Sequence, residues 1–224
     1  MQLPKIWHKE VHYRDLLIAL IALTIAYPLI NAWPAGRLIE QVALVAVLVN
    51  GTLATYQHRY QILLTLTVGA ILVIGGIINF VRDEPLRWLE MAQLVATTLF
   101  LSHVTLALTH DIFSGRQRVS VGLLYGAVSV YLLIGMAFAS AHFLLETFVA
   151  GSYHCGSPLC QGTPKTAAYV YYSFVTLATV GYGDIVPATH MAAVLANTEA
   201  IIGQMYTAIL VARLVGMQIT QSRS

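Results

Sequence analysis

Residues 179–184 read Thr-Val-Gly-Tyr-Gly-Asp, inside the run SFVTLATVGYGDIVPATH of residues 173–190. Two glycines bracket a tyrosine, an aspartate follows, and strongly apolar segments lie on both sides. Gly181 and Gly183 can adopt positive φ at little steric cost. Alternating such residues with ordinary ones turns successive carbonyls to the same side, which a plain strand does not do. The stretch therefore reads as a column of oxygens from Thr179, Val180, Gly181 and Tyr182, with the Thr179 hydroxyl as a further oxygen below. Rings of such oxygens can replace the water shell of a large monovalent cation. The side chains of Val180 and Tyr182 are expected to point away and brace the wall.

The surroundings explain how such a backbone is tolerated. The chain has 224 residues, 58% hydrophobic and 10% charged, with a mean hydropathy of +0.72. A soluble domain usually carries about a quarter charged residues, so this composition predicts an integral membrane protein. The formal net charge of +2 and the absence of a Lys/Arg run give no support for nucleic-acid binding. The first 15 residues are polar, and the apolar run after them lacks a small-residue cleavage pattern, so an uncleaved first helix is expected.

A spanning helix needs about 20 mostly apolar residues. Six stretches fit, at about 15–33, 38–56, 61–80, 86–109, 119–148 and 189–217. The fold class expected is an all-α integral membrane protein with six transmembrane helices, a re-entrant pore helix and a filter. With the N-terminus inside, Lys5, Lys9, Arg14, Arg59, Arg116, Arg118, Arg213 and Arg223 fall on the inner side. Arg37, Arg82, Arg87 and Lys165 fall outside, so the basic residues favour cytoplasmic termini. Residues 166–178, TAAYVYYSFVTLA, are too short to span and run directly into the quoted motif. A half-crossing that returns as extended chain is permitted only where its backbone is buried in protein or lines water. Thr67-Val68-Gly69 lacks a following Tyr-Gly-Asp and reads as a chance tripeptide.

TLATVGYGD, placed between a short helix and a spanning helix, resembles the signature of the potassium channels. The resemblance covers about residues 120–216. It implies a symmetric homotetramer around one axis, with K+ as the permeant ion held at Thr179, Val180, Gly181 and Tyr182, and no other cofactor. Matching positions carry over one at a time. Thr176 and Thr179 correspond to threonines of the pore helix and filter base, and Gly183 and Asp184 complete the filter. Tyr172 stands where many members have a tryptophan that hydrogen-bonds the acid, so it is expected to support Asp184. Val175 replaces the glutamate partner of that acid found in some two-helix members. Val186 stands where an aromatic supports external tetraethylammonium block, which implies weak block here. Gly203, 20 residues after Gly183, has the spacing of the inner-helix hinge glycine; its alternative duty is close helix packing.

Six spans with the pore last also resemble the voltage-gated branch, whose fourth helix carries an arginine ladder. Here that helix reads LRWLEMAQLVATTLFLSHVTLAL; its one arginine is Arg87, beside Glu90. The expected organisation is a cytosolic stub and non-voltage-sensing four-helix domain at 1–118 and a pore domain at 119–217. The latter divides into outer helix 119–148, outer loop 149–165, pore helix 166–178, filter 179–184 and inner helix 189–217, and residues 218–224 form a cytosolic tail.

Other residues leave alternatives open. Cys155 and Cys160 in the outer loop can form an intrachain disulfide, remain free, link subunits, or join His154 at a zinc site. Glu199 is an intramembrane acid, facing either the cavity or the pore-helix hydroxyls behind the filter. His103, His110, His142 and His190 are candidate pH sensors or packed histidines. Trp7, Trp33 and Trp88 fall near span ends, and Pro28 is expected to kink the first helix. No catalytic constellation is present, so no enzyme is indicated. The expected function is passive K+ conduction by a homotetramer in contact with lipid, in a multi-pass arrangement in the plasma membrane, with a bacterial inner membrane the expected setting. The alternatives are a weakly selective cation channel, the membrane subunit of a potassium uptake transporter, or a non-conducting sensor or scaffold.

Overall fold

The structure is a computed structural model that describes residues 5–30, 36–55, 59–81, 86–114, 120–156 and 165–222. Seven helices and two short strands occupy them: α1 (Lys5–Ile30), α2 (Gly36–Thr55), α3 (Arg59–Val81), α4 (Arg87–Ser114), α5 (Val121–Phe148), β1 (Tyr153–Cys155), α6 (Lys165–Leu177), β2 (Ile185–Pro187) and α7 (His190–Ser222). Trp33, Cys160 and the linker basic residues Arg82, Arg116 and Arg118 lie outside the described residues.

Three of these helices are long and apolar enough to cross a membrane, over Arg87–Phe113, Val121–Phe148 and His190–Ile219. The chain is thus a mostly helical membrane protein in its described part. Shorter apolar stretches, Val42–Thr52 and Thr67–Ile78, lie within α2 and α3. The sequence expectation was six spans. α1, α2 and α3 are helices of 26, 20 and 23 residues at the places where the first three spans are expected. α1 continues as one helix through Pro28.

A large apolar core joins the bundle. It takes Leu16, Leu20 and Leu23 from α1 and Leu101, Val104, Leu108 and Ile112 from α4, with Leu123, Val130 and Leu133 from α5. The recurrence at three and four residues puts each set on one helix face. Within lipid, apolar contact alone does not drive helices together, and polar contacts add directionality. Thr52 Oγ1 meets Thr65 Oγ1 at 2.8 Å between α2 and α3, and Gln93 Nε2 donates to the Leu72 carbonyl at 2.8 Å. Thr98 and Ser140 hydroxyls meet at 2.6 Å between α4 and α5.

One end of the bundle is tied by polar side chains. Tyr13 OH donates to Asp111 Oδ2 at 2.5 Å, joining α1 to α4. Arg213 of α7 donates to the Ile112 carbonyl, and its guanidinium lies 5.2 Å from the Phe113 ring centroid. The long α7 is thereby held against the last turn of α4. Higher up, Tyr206 OH donates to the Ala127 carbonyl at 2.7 Å, which fixes α7 against α5.

Candidate ion-conduction site

The site is built on a helix too short to cross a membrane. α6 has 13 residues, about 20 Å at 1.5 Å per residue, against a hydrocarbon core of about 30 Å. Its last turn closes through Ala178 N to the Phe174 carbonyl at 3.0 Å and Thr179 N to the Thr176 carbonyl at 2.9 Å. Val180 N still reaches the Val175 carbonyl at 2.9 Å. Beyond that point the chain leaves the helix.

The departure alternates in handedness. Thr179, Gly181 and Gly183 have φ of 55°, 60° and 78°. A Cβ added at Gly181 or Gly183 would meet nothing within 4 Å, so these glycines answer a backbone requirement rather than a shortage of space. Thr179 has no such freedom, because a β-branched residue at positive φ is strained. Its surroundings hold it: its N–H is bonded to Thr176, and Gln204 Nε2 of α7 donates to its Oγ1 at 3.1 Å. Val180 and Tyr182 are 52% and 70% exposed in the single chain. Tyr182 lies parallel to Tyr171, with ring centroids 6.4 Å apart.

After the motif the chain is anchored by a small antiparallel pair. β2 meets β1 with Tyr153 opposite Pro187, His154 opposite Val186 and Cys155 opposite Ile185. Gly156 N donates to the Asp184 carbonyl at 2.8 Å, and Ala188 N to the Ser152 carbonyl at 2.8 Å. Glu146 at the end of α5 accepts from Gly151 N and Tyr153 N, holding the turn that leads into β1. Cys155 is disulfide-bonded; Cys160 lies outside the described residues.

Asp184 is supported, but not by the tyrosine expected. Tyr171 OH donates to Asp184 Oδ2 at 2.9 Å, and Ile185 N donates to Oδ1 at 3.0 Å. Tyr172 is turned about 100° around the helix from Tyr171. It is buried, packs edge-on against His142 and Tyr153, and shares a side-chain hydrogen bond with Thr176. The correction is one of helical phase.

Glu199 is enclosed within the chain. It is fully buried, with Oε2 2.8 Å from His142 Nε2 and Oε1 hydrogen-bonded to Ser173 Oγ. Ser173 Oγ is also 2.6 Å from the Gly135 carbonyl, and His142 Nδ1 is 2.5 Å from Tyr153 OH. One chain of contacts thus joins α5, β1, α6 and α7 behind the motif. His142 belongs to this chain. Ser173, Tyr153, Tyr171 and Gln204 escaped the sequence reading; the only available signal was a polar residue on an otherwise apolar helix.

Gly203 has a packing duty. A Cβ there would sit 2.5 Å from the Leu177 carbonyl and 2.8 Å from its side chain. α7 runs unbroken through this position. At Gly135 a Cβ would sit 2.7 Å from the Phe174 ring, so α6 is pressed closely between α5 and α7.

A family model described as ion channel matches residues 130–219, from the middle of α5 to the end of α7. Every element of the site except the start of α5 lies inside the match. This region resembles ion channels. No curated protein matches the chain.

Proposed function

We propose that this chain forms a K+-selective pore as a homotetramer and conducts passively across a cell membrane. The observation that carries the reading is the alternation of positive φ at Thr179, Gly181 and Gly183 directly after a half-length helix. That alternation is the backbone condition for a column of carbonyls from Thr179, Val180, Gly181 and Tyr182 acting as K+ ligands. The single chain leaves Val180 and Tyr182 uncovered, which favours further copies packed around the same axis. The ion-channel match over residues 130–219 supports a pore in this region.

In this reading residues 1–118 form a four-helix domain, so the chain crosses six times with both ends in the cytoplasm. Residues 119–217 form the pore domain. Lipid surrounds the assembly, and a bacterial inner membrane is the proposed setting. The scarcity of arginine on α4 favours gating that does not depend on a charged voltage sensor.

Reconstituted protein in liposomes under K+ and Na+ gradients tests the proposal. Flux of K+ well above Na+, abolished by Gly181→Ala, is expected. Equal flux of the two ions would replace it with a weakly selective cation channel. Absence of any flux would leave the non-conducting scaffold reading.

A further inference from the structure

Behind the filter, five groups make four consecutive hydrogen-bond contacts: Tyr153 OH with His142 Nδ1, His142 Nε2 with Glu199 Oε2, Glu199 Oε1 with Ser173 Oγ, and Ser173 Oγ with the Gly135 carbonyl. His142, Ser173 and Glu199 are completely buried, and Tyr153 nearly so. Each contact requires one hydrogen. A tyrosine and a serine supply one each, a neutral imidazole supplies one, and an ionised carboxylate and a carbonyl supply none. Those three hydrogens leave one of the four contacts as two bare oxygens or nitrogens facing each other, which is costly in a buried site.

We propose that the chain binds one additional proton and that this proton resides on Glu199 as a neutral carboxylic acid. All four contacts are then served in one direction. Tyr153 donates to Nδ1, Nε2–H donates to Glu199 Oε2, Glu199 Oε1–H donates to Ser173, and Ser173 donates to the Gly135 carbonyl. The same proton placed on His142 serves the chain less well. Nδ1–H would then donate to Tyr153, whose own hydrogen finds no other acceptor among the described residues. Ser173, with one hydrogen, would still face two acceptors.

The bound proton has a mechanical consequence. Ser173 is the point where the chain grips α6, between the Gly135 carbonyl of α5 and Glu199 of α7. Removing the proton releases one of the two grips and leaves a charge in a dry site. Among the described residues, the other groups facing the chain bring no cation that would hold an ionised carboxylate. Tyr131 of α5 and Tyr172 of α6 lie within electrostatic reach of Glu199, and Glu146 stands beside Tyr153. The filter-bearing segment therefore stays braced while the proton is held and loosens as pH rises.

Infrared difference spectroscopy of the full chain in lipid tests this without requiring conduction. A protonated-carboxyl C=O band at neutral pH, shifted by exchange into D2O and missing in Glu199→Gln, is expected. The glutamine amide reproduces the neutral acid's contacts, donating to Ser173 and accepting from His142. Thermal stability of the wild type should fall with rising pH, and that of Glu199→Gln should stay flat. Absence of the band at neutral pH overturns the proposal, as does a pH profile unchanged by the substitution. Should Glu199→Gln fail to assemble, the wild type decides by nuclear magnetic resonance: a buried glutamate carboxyl carbon-13 shift of the protonated form beside a neutral ring protonated at Nε2 supports the proposal, and an ionised carboxylate or an imidazolium overturns it.

Discussion

Gln204 Nε2 donates to Thr179 Oγ1 at 3.1 Å, linking α7 to the first residue of the Thr-Val-Gly-Tyr-Gly-Asp motif across 25 positions of sequence. A hydroxyl has two acceptor positions; the amide occupies one, and the other is where the proposed pore would place a cation. The same bond restrains a β-branched residue held at φ 55°. Gln204→Leu is therefore expected to loosen the Thr179 hydroxyl and lower the K+/Na+ flux ratio several-fold, with assembly intact. Liposome flux together with size-exclusion chromatography checks it; an unchanged ratio would show that the bond has no part in selectivity.

Two glycines of the site should respond to alanine for different reasons. Gly203→Ala drives a Cβ to 2.5 Å from the Leu177 carbonyl, and overpacking of this kind costs about 1–3 kcal/mol. Thermal unfolding should show that loss. Gly181→Ala meets no atom and costs only the left-handed backbone penalty, about 1–2 kcal/mol. It should abolish selective flux while the protein stays folded. A Gly203→Ala protein with native stability and altered gating alone would restore the hinge reading.

The tyrosine pair separates by function. Tyr171→Phe removes the hydrogen bond to Asp184 Oδ2, worth about 0.5–1.5 kcal/mol or more to a charged acceptor. K+ flux is expected to become less sustained or less selective. Tyr172→Phe keeps that bond and loses the Thr176 contact. Parallel flux measurements on both variants check the assignment, which fails if only Tyr172→Phe impairs selectivity.

Reduction should affect the outer loop first. Cys155 is disulfide-bonded, and the chain contains two cysteines. Closure of a short loop by an intrachain bond is worth about 2 kcal/mol in the chain-entropy account. Peptide mapping without reductant is expected to recover residues 155 and 160 in one cross-linked peptide. Treatment with dithiothreitol should lower the melting temperature by a few degrees. A cross-link between two copies of the chain would contradict the intrachain assignment.

Voltage is expected to be a weak stimulus. Moving one charge across 100 mV yields about 2.3 kcal/mol, and steep gating needs several per subunit. α4 carries Arg87 in its first turn and no other arginine or lysine. Planar-bilayer recordings should give an activation slope of about one charge per subunit or less.

What sequence alone determined is local. The freedom of Gly181 and Gly183 to take positive φ follows from residue type, and the shortness of α6 follows from the length of its apolar run. The helices of the pore region follow from long apolar stretches bounded by polar residues. Tertiary structure decided what depends on rotation and distance. Adjacent tyrosines on α6 point about 100° apart, so only the packed helix shows that Tyr171 reaches Asp184 while Tyr172 faces His142. Glu199 lies 57 residues from His142 and 26 from Ser173, and no periodicity links positions on three different helices. Gly203 carries the spacing of a hinge, yet the nearness of the Leu177 carbonyl gives it a duty in close packing. Backbone permissions are written residue by residue; the partners of a buried polar group are set by how helices turn toward one another.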